Sequence, residues 1–332
     1  MNRRLPVYLV LDCSESMVGE PFKAMTNGLN LLVSELRSNP LALETAAISI
    51  ITFASNARQV LPLTDLLAAQ IPQLKMGSGT GLGQALRLLQ DCMAREVIKS
   101  SATQKGDYKP VVFIVTDGEP TDQWKDVARQ FYSAVQGKKA NIIGVACGRD
   151  SCPDVLRQIT ETVITIDHES AGSFKRFFQW VSATISTTSQ KIQGDGMPIE
   201  APPLPPEIQG RTEASGASRQ VFLHMRCVKS KKFYLSRFTR QGVGAGPSYI
   251  GTGAFPLEDF EEESGTGRKV QSDSLVQPNP CPHCGNQTLG MCQCGKMHCC
   301  PTITAPIQLT CPWCGQTDTY APASFDVGSG AG

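Results

Sequence analysis

The first half of the chain alternates wholly apolar runs with longer segments in which apolar residues recur every three or four positions. The apolar runs predict buried strands at 5–12, 45–53, 110–117, 141–147 and 163–167, and an edge strand at 58–63. The periodic segments predict helices at 21–37, 81–100, 122–137, 152–159 and 170–186. Alternating strands and helices form a mostly parallel sheet covered on both faces. Right-handed crossovers then predict a doubly wound α/β domain over residues 1–188.

The pattern changes after residue 188. Residues 189–218 are rich in proline and then in small polar residues, which predicts a semi-extended linker, with a docking segment for another protein as the alternative. From residue 219 the periodicity is that of strands, and 219–228 and 231–240 predict a hairpin. We therefore expect a small β-rich, cysteine-rich domain over 219–325, followed by a frayed tail in "FDVGSGAG" (325–332).

Composition narrows the classes of function. Hydrophobic residues make up 41% of the 332 residues, which is enough for a sizeable core, and the net charge of +1 gives no global attraction to nucleic acid or membrane. No stretch approaches the roughly 20 apolar residues of a membrane span, and "MNRRLPVYLVLD" lacks the features of a secretory signal. The expectation is a soluble, cytoplasmic protein.

Oxygen-bearing side chains follow the first predicted strand in "LVLDCSESM" (9–17). Asp12, Ser14 and Ser16 are two residues apart, so an extended turn can direct all three side chains to one point. Asp117 ends a later strand, and Thr80 lies in the glycine-rich loop "GSGTGLGQAL". The carboxyl ends of the strands meet at one rim of such a sheet, where ligands bind. Two carboxylates and three hydroxyls predict a site for Mg²⁺, or for Mn²⁺ or Ca²⁺, with a position left open for a partner's Asp or Glu.

Other roles exist for these residues one at a time. Ser14, Ser16 and Thr80 are each suited to cap a helix, and Asp117 to begin a turn. Glu119 and Asp122 fit surface or supporting acids better than ligands. The glycine loop does not bind a nucleotide by the G-x-G-x-x-G pattern, because Gln84 stands at the third glycine position, and no G-x-x-x-x-G-K-[ST] segment occurs.

Eight of the thirteen cysteines fall between 281 and 314, and they are Cys281, Cys284, Cys292, Cys294, Cys299, Cys300, Cys311 and Cys314. Paired C-x-x-C motifs at 281–284 and 311–314 are typical of a zinc ribbon, and eight thiolates suit two Zn²⁺ ions. One site would combine the two C-x-x-C pairs and the other the inner four cysteines, although an interleaved arrangement is equally allowed. Adjacent Cys299 and Cys300 point poorly at one ion, so His283 or His298 is a possible replacement for one of them.

The other cysteines, Cys13, Cys92, Cys147, Cys152 and Cys227, are interpreted as core residues or isolated thiols. His224 and Cys227 are the less favoured candidates for a zinc site, because neither is near a C-x-x-C motif in sequence. A redox role for the C-x-x-C pairs is disfavoured as well, since their flanking segments are short and β-like rather than part of a βαβ unit.

A basic segment carries seven Lys or Arg residues and no acid between Arg219 and Arg240. Interleaved aromatics, Phe222, Phe233, Tyr234 and Phe238, would suit stacking on nucleic-acid bases. The alternative is a solvated strand face whose aromatics turn into a small core, with the acidic run 257–263 balancing the charge. We favour the second interpretation, so nucleic acid is not an expected partner and a zinc-ribbon nucleic-acid binder is the alternative function.

The order of these motifs resembles the von Willebrand factor A domain. In that family D-x-S-x-S, a glycine-rich loop with threonine and a later "TDG" form the metal-ion-dependent adhesion site, and its five positions match Asp12, Ser14, Ser16, Thr80 and Asp117. The resemblance covers residues 5–188. Together with the eight-cysteine tail, "DCSESM" and "TDGEPTD" resemble the TerY-like proteins of bacterial tellurite-resistance and stress-response clusters.

That resemblance implies a cytoplasmic adaptor that works with a protein-kinase-like partner and a PP2C-type phosphatase. No pairing of a nucleophile with a base is evident in the sequence, which favours a protein that is not an enzyme. A metal-dependent phosphoester hydrolase using the two aspartates is the remaining alternative, although the hydroxyl-rich donor set offers no evident general base.

Overall fold

The structure, a computed structural model, describes residues 3–101, 103, 105–135, 139–147, 153–166, 172–192, 220–241, 248–257 and 269–328. They form two compact units, which lie mainly before residue 192 and after residue 220. Residues 193–218 of the predicted linker, Cys152 and the acidic residues 258–263 lie outside the described residues. Among the described helices, none has the length and apolar character needed to cross a membrane.

The first unit is built on one six-stranded sheet with the order β3-β2-β1-β4-β5-β6. Its strands are β1 (Leu5–Asp12), β2 (Ala46–Phe53), β3 (Ala57–Asp65), β4 (Val111–Thr116), β5 (Asn141–Cys147) and β6 (Thr162–Ile166). All neighbours are parallel except β2 and β3, so β3 is an antiparallel edge strand. The predicted doubly wound α/β sheet and its edge strand are confirmed.

Helices cover both faces of this sheet. They are α1 (Glu20–Ser38), α2 (Pro40–Thr45), α3 (Leu82–Glu96), α4 (Lys125–Val135), α5 (Pro153–Leu156) and α6 (Ser173–Ile192). The short helix α2 was not predicted, and it begins where the Asn39 side chain accepts hydrogen bonds from two backbone N–H groups. The helix α6 ends four residues after the predicted domain end at 188.

Two apolar layers, one on each face of the sheet, explain why the strands contain almost no polar residues. Residues of α1 and α6 pack on one face and residues of α3 and α4 on the other. Gly28 allows α1 and α6 to approach closely, because a Cβ there would lie 2.2 Å from the Phe178 ring. Since every residue of β1 and β2 is buried, the sheet is a rigid platform for the loops at its carboxyl edge.

The second unit is β-rich. Its strands are β7 (Gln220–Arg226), β8 (Phe233–Gln241), β9 (Ser248–Pro256), β10 (Lys269–Gln271), β11 (Leu275–Val276), β12 (Thr288–Met291), β13 (Met297–Cys300), β14 (Ile307–Thr310), β15 (Thr317–Tyr320) and β16 (Asp326–Gly328). A six-stranded sheet has the order β11-β9-β8-β7-β13-β12, and β10 with β16 and β14 with β15 form two-stranded sheets. The predicted hairpin is confirmed as the antiparallel pair β7–β8.

The predicted frayed tail is wrong for residues 326–328. These residues form β16, which pairs antiparallel with β10. Val327 is buried in the apolar core of the second unit, and this burial holds the segment in place. Residues 329–332 lie outside the described part of the chain.

Candidate metal centres

The rim site begins where strand order reverses, between β1 and its neighbour β4. Asp12 is the last residue of β1, and Asp117 directly follows β4, so both carboxylates lie at adjacent carboxyl ends. The Ser16 hydroxyl donates to Asp117 Oδ1 at 2.7 Å, and the Ser14 and Ser16 hydroxyls are 2.9 Å apart. The backbone N–H of Ser14 donates to Asp12 Oδ1 at 2.9 Å. Four of the five predicted site residues are therefore joined by hydrogen bonds.

Thr116 is a supporting residue that the sequence interpretation missed. Its hydroxyl donates to Asp12 Oδ2 at 2.5 Å, across the parallel pair β1–β4. This contact and the Ser14 N–H hold both oxygens of the Asp12 carboxylate in a fixed orientation. The sequence signal that could have identified Thr116 is a hydroxyl side chain at the end of a strand, directly before Asp117.

Thr80, the fifth predicted residue, is positioned through the loop that follows Asp117. Its N–H donates to Thr121 Oγ1 and its carbonyl accepts from the Thr121 N–H, both at 2.9 Å. Thr80 is fully buried, yet its own hydroxyl has no hydrogen-bond partner among the described residues. A buried hydroxyl without a partner is costly, so a bound ligand is the expected partner at this position.

The alternative capping roles are not observed at these residues. The residue that precedes α3 is Gly81, and the amides of the first turn are instead satisfied by Asp122, whose carboxylate accepts from Gly83 N–H at 3.2 Å and Gln84 N–H at 3.1 Å. Gly83 suits this contact because a Cβ would lie 2.8 Å from the Asp122 carboxylate. The Ser14 side chain makes no capping hydrogen bond. Asp122 is thus a helix cap. The hydroxyls of Ser14 and Thr80 make no capping hydrogen bond among the described residues, so they remain available to a ligand.

Two buried carboxylates dominate the electrostatics of the rim. Asp12 and Asp117 are buried, and none of the ion pairs between described residues involves them. Burial raises the pKa of both carboxyls above the ordinary aspartate value, and the neighbouring Asp12 charge raises the pKa of Asp117 further. Buried Glu15 adds a weaker repulsion that also raises the pKa of both groups. A divalent cation would relieve this repulsion and complete the orphaned Thr80 hydroxyl, so the residues present fit a hard metal ion.

The cysteines of the second unit form two groups of four. The first group is Cys227, Cys281, Cys284 and Cys299, and the second is Cys292, Cys294, Cys311 and Cys314. Within each group all sulfur atoms lie within 4.8 Å of one another. Four thiolates at about 2.3 Å around one tetrahedral Zn²⁺ are about 3.8 Å apart. The Sγ separations of 3.5 Å for Cys284–Cys299, 3.7 Å for Cys292–Cys314 and 3.9 Å for Cys294–Cys311 fit that geometry.

This grouping differs from the first pairing given in the sequence analysis and is of the interleaved kind that was equally allowed. The two C-x-x-C pairs do not share a site, and each group combines cysteines that are interleaved along the chain. Cys227, interpreted as a core thiol, joins the first group, whereas Cys300, a predicted ligand, belongs to neither. Successive side chains in β13 point to opposite faces of the sheet, so adjacent Cys299 and Cys300 cannot both face one site.

Neither histidine replaces a cysteine. His283 Nε2 lies 3.0 Å from the Phe233 carbonyl, and His298 Nε2 lies 2.9 Å from the Tyr320 hydroxyl. The Cys300 thiol lies 3.6 Å from His298 Nδ1 in the interior, where burial raises its pKa to about 12. Cys300 is therefore a neutral core thiol.

The turns that carry these cysteines share one backbone pattern. In the 281–286 and 311–316 turns, the backbone carbonyl of the first cysteine accepts a hydrogen bond from a glycine N–H, and its own backbone N–H donates to a carbonyl five residues later. These glycines, Gly285 and Gly315, have φ of +78° and +77°. The turn of β7–β8 repeats this pattern, because Cys227 accepts from Lys231 N–H and donates to Lys232 O, with Lys231 at φ 58°. Ser230 stands where the other turns have their second cysteine. Because Ser230 stands in place of a second cysteine, the sequence shows no C-x-x-C motif at Cys227.

The basic hairpin keeps most of its aromatic rings in the core. Phe222, Tyr234 and Phe238 are at most 2% exposed, as the second interpretation of this segment predicted. Lys229, Lys231 and Lys232 are exposed on the turn. The buried rings cannot stack on bases. The aromatic residues that suggested nucleic-acid binding are instead part of the core of the second unit.

Taken together, the fold and the sites define a doubly wound α/β domain with an oxygen-lined rim, joined to a β-rich domain with two four-cysteine groups. The chain belongs to the von Willebrand factor type A domain family, which matches residues 7–178. Residues 217–332 match the TerY-C metal binding domain, so the second unit is a metal-binding domain. No relative was found among curated protein sequences.

Several solved structures are similar to part of this chain. Proximal thread matrix protein 1 from the mussel byssus is 15% identical, with a TM-score of 0.40 over 56% of this chain and 48% of that chain. A further structure of that mussel protein is described as having a zinc-occupied MIDAS motif. A conserved hypothetical protein, BatB, from Bacteroides thetaiotaomicron is 16% identical, with a TM-score of 0.38 over 56% of this chain and 99% of that chain. A von Willebrand factor type A protein from Catenulispora acidiphila is 15% identical, with a TM-score of 0.44 over 77% of this chain and 66% of that chain. The chain thus spans about half the length of the mussel protein.

Proposed function

We propose that this protein is a non-enzymatic adaptor whose rim holds a divalent cation of the Mg²⁺ type and uses it to bind a partner protein. Asp12, Ser14, Ser16, Thr80 and Asp117 would hold the ion, and an Asp or Glu from the partner would complete its coordination. The observation that carries the proposal is the buried Thr80 hydroxyl, which has no hydrogen-bond partner among the described residues, in a loop bonded to Thr121, four residues after the buried Asp117.

Hydroxyl donors explain why the partner supplies the last ligand. With only two of its own carboxylates on the ion, the site leaves the cation electron-poor, and a carboxylate from outside is then strongly favoured. The supporting contacts also fit a binding role. Ser16 and Thr116 orient the two carboxylates by hydrogen bonds, so the site is ordered before the partner arrives.

The two cysteine groups would each hold one Zn²⁺ and stabilise the second unit. The core of this unit is small and includes Cys227, Cys281 and Cys299 themselves, so metal binding contributes directly to folding. Four-thiolate sites leave no open coordination position, which supports a structural role rather than a catalytic one.

The partners follow from the family resemblance. We propose a protein-kinase-like protein and a PP2C-type phosphatase as partners, in the cytoplasm, in tellurite-resistance or stress-response signalling. The absence of an enzymatic activity is part of the proposal. It is supported by the rim donors, which are carboxylates and hydroxyls with no evident pairing of a nucleophile with a base in the sequence.

The decisive experiment compares Thr80→Val with Thr184→Val. Both positions are at most 1% exposed, but Thr184 donates within its own helix to the Trp180 carbonyl. In EDTA, Thr80→Val should be at least as stable as the parent, because it removes a buried hydroxyl that costs about 1 kcal/mol or more. With Mg²⁺ present, Thr80→Val should bind Mg²⁺ more weakly than the parent does, and it should also retain the partner more weakly.

Pull-down from the native cytoplasm with Mg²⁺, and then with EDTA, measures retention of the partner. Thr184→Val should lose stability in both buffers and retain the partner normally. Equal retention of the partner with and without metal, or normal retention by Thr80→Val, would refute the proposed mechanism.

A further inference from the structure

The two cysteine groups differ in their exposure to solvent. In the first group, Cys227, Cys281 and Cys299 are buried and Cys284 is half-buried. In the second group, Cys292 and Cys311 are buried, whereas Cys294 and Cys314 are exposed. The second group therefore includes two cysteines whose residues are exposed to small molecules in solution.

The second group also joins two separate hairpins. Cys292 and Cys294 lie in the turn between β12 and β13, which belongs to the six-stranded sheet. Cys311 and Cys314 lie in the turn between β14 and β15, which form their own two-stranded sheet. Each exposed thiol has a buried thiol of the other hairpin close by, with Sγ separations of 3.7 Å for Cys314–Cys292 and 3.9 Å for Cys294–Cys311.

We propose that Cys294 and Cys314 are an oxidation site for hydroperoxides, and that their oxidation releases metal from the second group while the first group stays intact. The inference rests on the proposed occupancy of both groups by zinc. Access decides the difference, since thiolates react when they are exposed, and buried thiolates of closed sites are inert.

The oxidation of two thiolates to a disulfide needs only hydrogen peroxide and two protons from water. An exposed thiolate attacks one oxygen of hydrogen peroxide, breaks the O–O bond and becomes a sulfenic acid, and the leaving hydroxide takes a proton to form water. The buried thiolate of the other hairpin then attacks that sulfur, forms the disulfide and expels a second hydroxide, which becomes water. Two thiolates, one peroxide and two protons thus give one disulfide and two waters. The two remaining thiolates hold Zn²⁺ too weakly, and it leaves without changing its oxidation state.

The basic turn at Cys227 does not reverse this preference. Lys229, Lys231 and Lys232 are exposed on the turn that follows Cys227. Hydrogen peroxide is uncharged, however, so the lysines do not concentrate it there, and Cys227 itself is 0% exposed. Exposure remains the property that separates the two groups.

The test uses the full chain loaded with zinc, and native mass spectrometry counts the bound zinc ions. The loaded chain is then treated with one to two equivalents of hydrogen peroxide. A chromophoric chelator measures zinc release, and differential alkylation followed by peptide mass spectrometry identifies the oxidised cysteines. We expect the release of one of two zinc ions, Cys292–Cys314 or Cys294–Cys311 disulfides, and oxidation at least roughly tenfold slower in the first group. Dithiothreitol with added zinc should restore the second ion.

Cys300→Ala is the matched control, because Cys300 belongs to neither group, and it should release zinc like the parent. Release of both ions at one rate, release of neither, or earlier oxidation of Cys227, Cys281, Cys284 or Cys299 would overturn the inference and leave the proposed zinc binding standing. A chain that carries no zinc before peroxide is added would contradict both.

Discussion

Replacing Cys227 with alanine tests the assignment that the sequence pattern missed. Cys227 and Cys300 are both 0% exposed cysteines of the second unit, but only Cys227 belongs to a four-cysteine group. Cys227→Ala and Cys300→Ala therefore remove the same atom from equally buried positions. They differ in whether a metal ligand is lost.

The expected difference follows from the energy of a four-thiolate site. Each variant loses the packing of one buried sulfur, which costs about 1 kcal/mol. A structural zinc site contributes about 10–16 kcal/mol, and an equal share for each of four thiolates is about 2.5–4 kcal/mol. That share corresponds to zinc binding weaker by about 100-fold to 1,000-fold, since each 1.4 kcal/mol is a factor of about ten.

Zinc content by native mass spectrometry, competition with a chromophoric chelator and thermal unfolding measure the two contributions separately. Cys227→Ala should lose one zinc ion to a chelator concentration that leaves the parent and Cys300→Ala with two. It should also unfold at the lower temperature of the two variants. Retention of both ions by Cys227→Ala, or loss of one by Cys300→Ala, would show that the geometric grouping of the cysteines is wrong.

Two further predictions concern the rim. Thr116→Val keeps the shape of a side chain that is 5% exposed but removes its hydrogen bond to Asp12, so Mg²⁺ binding measured by calorimetry should weaken about 10-fold to 100-fold with an unchanged circular dichroism spectrum. Because the folded-state pKa values of Asp12 and Asp117 are raised, the metal-free protein should lose stability as pH rises from about 4 to about 8, and Mg²⁺ should reverse this loss. Unfolding in EDTA and in Mg²⁺ across this range checks the sign, and a metal-free protein that gains stability with pH would contradict it.

The fold of the first unit could be predicted in detail because its signals are local. An uninterrupted apolar run such as residues 5–12 has to be buried on both faces, and a parallel sheet between two helical layers is the arrangement that does this. The rim residues were predictable for the same reason, since the carboxyl ends of neighbouring strands bring Asp12 and Asp117 together wherever else the chain goes.

The sequence by itself determined which chemistry the protein carries, namely oxygen donors at strand ends and clustered thiols. Only the tertiary structure decided which thiols share a site, since sulfur atoms are brought together by hairpins that meet in space rather than by spacing along the chain. Cys227 reaches Cys281 because β7–β8 ends in a turn like that of a C-x-x-C motif, and Cys300 is turned away from Cys299 by the pleat of β13. Contacts such as Thr116 with Asp12 and Asp122 with α3 were likewise decided by strand register and loop packing, on which local periodicity has no bearing.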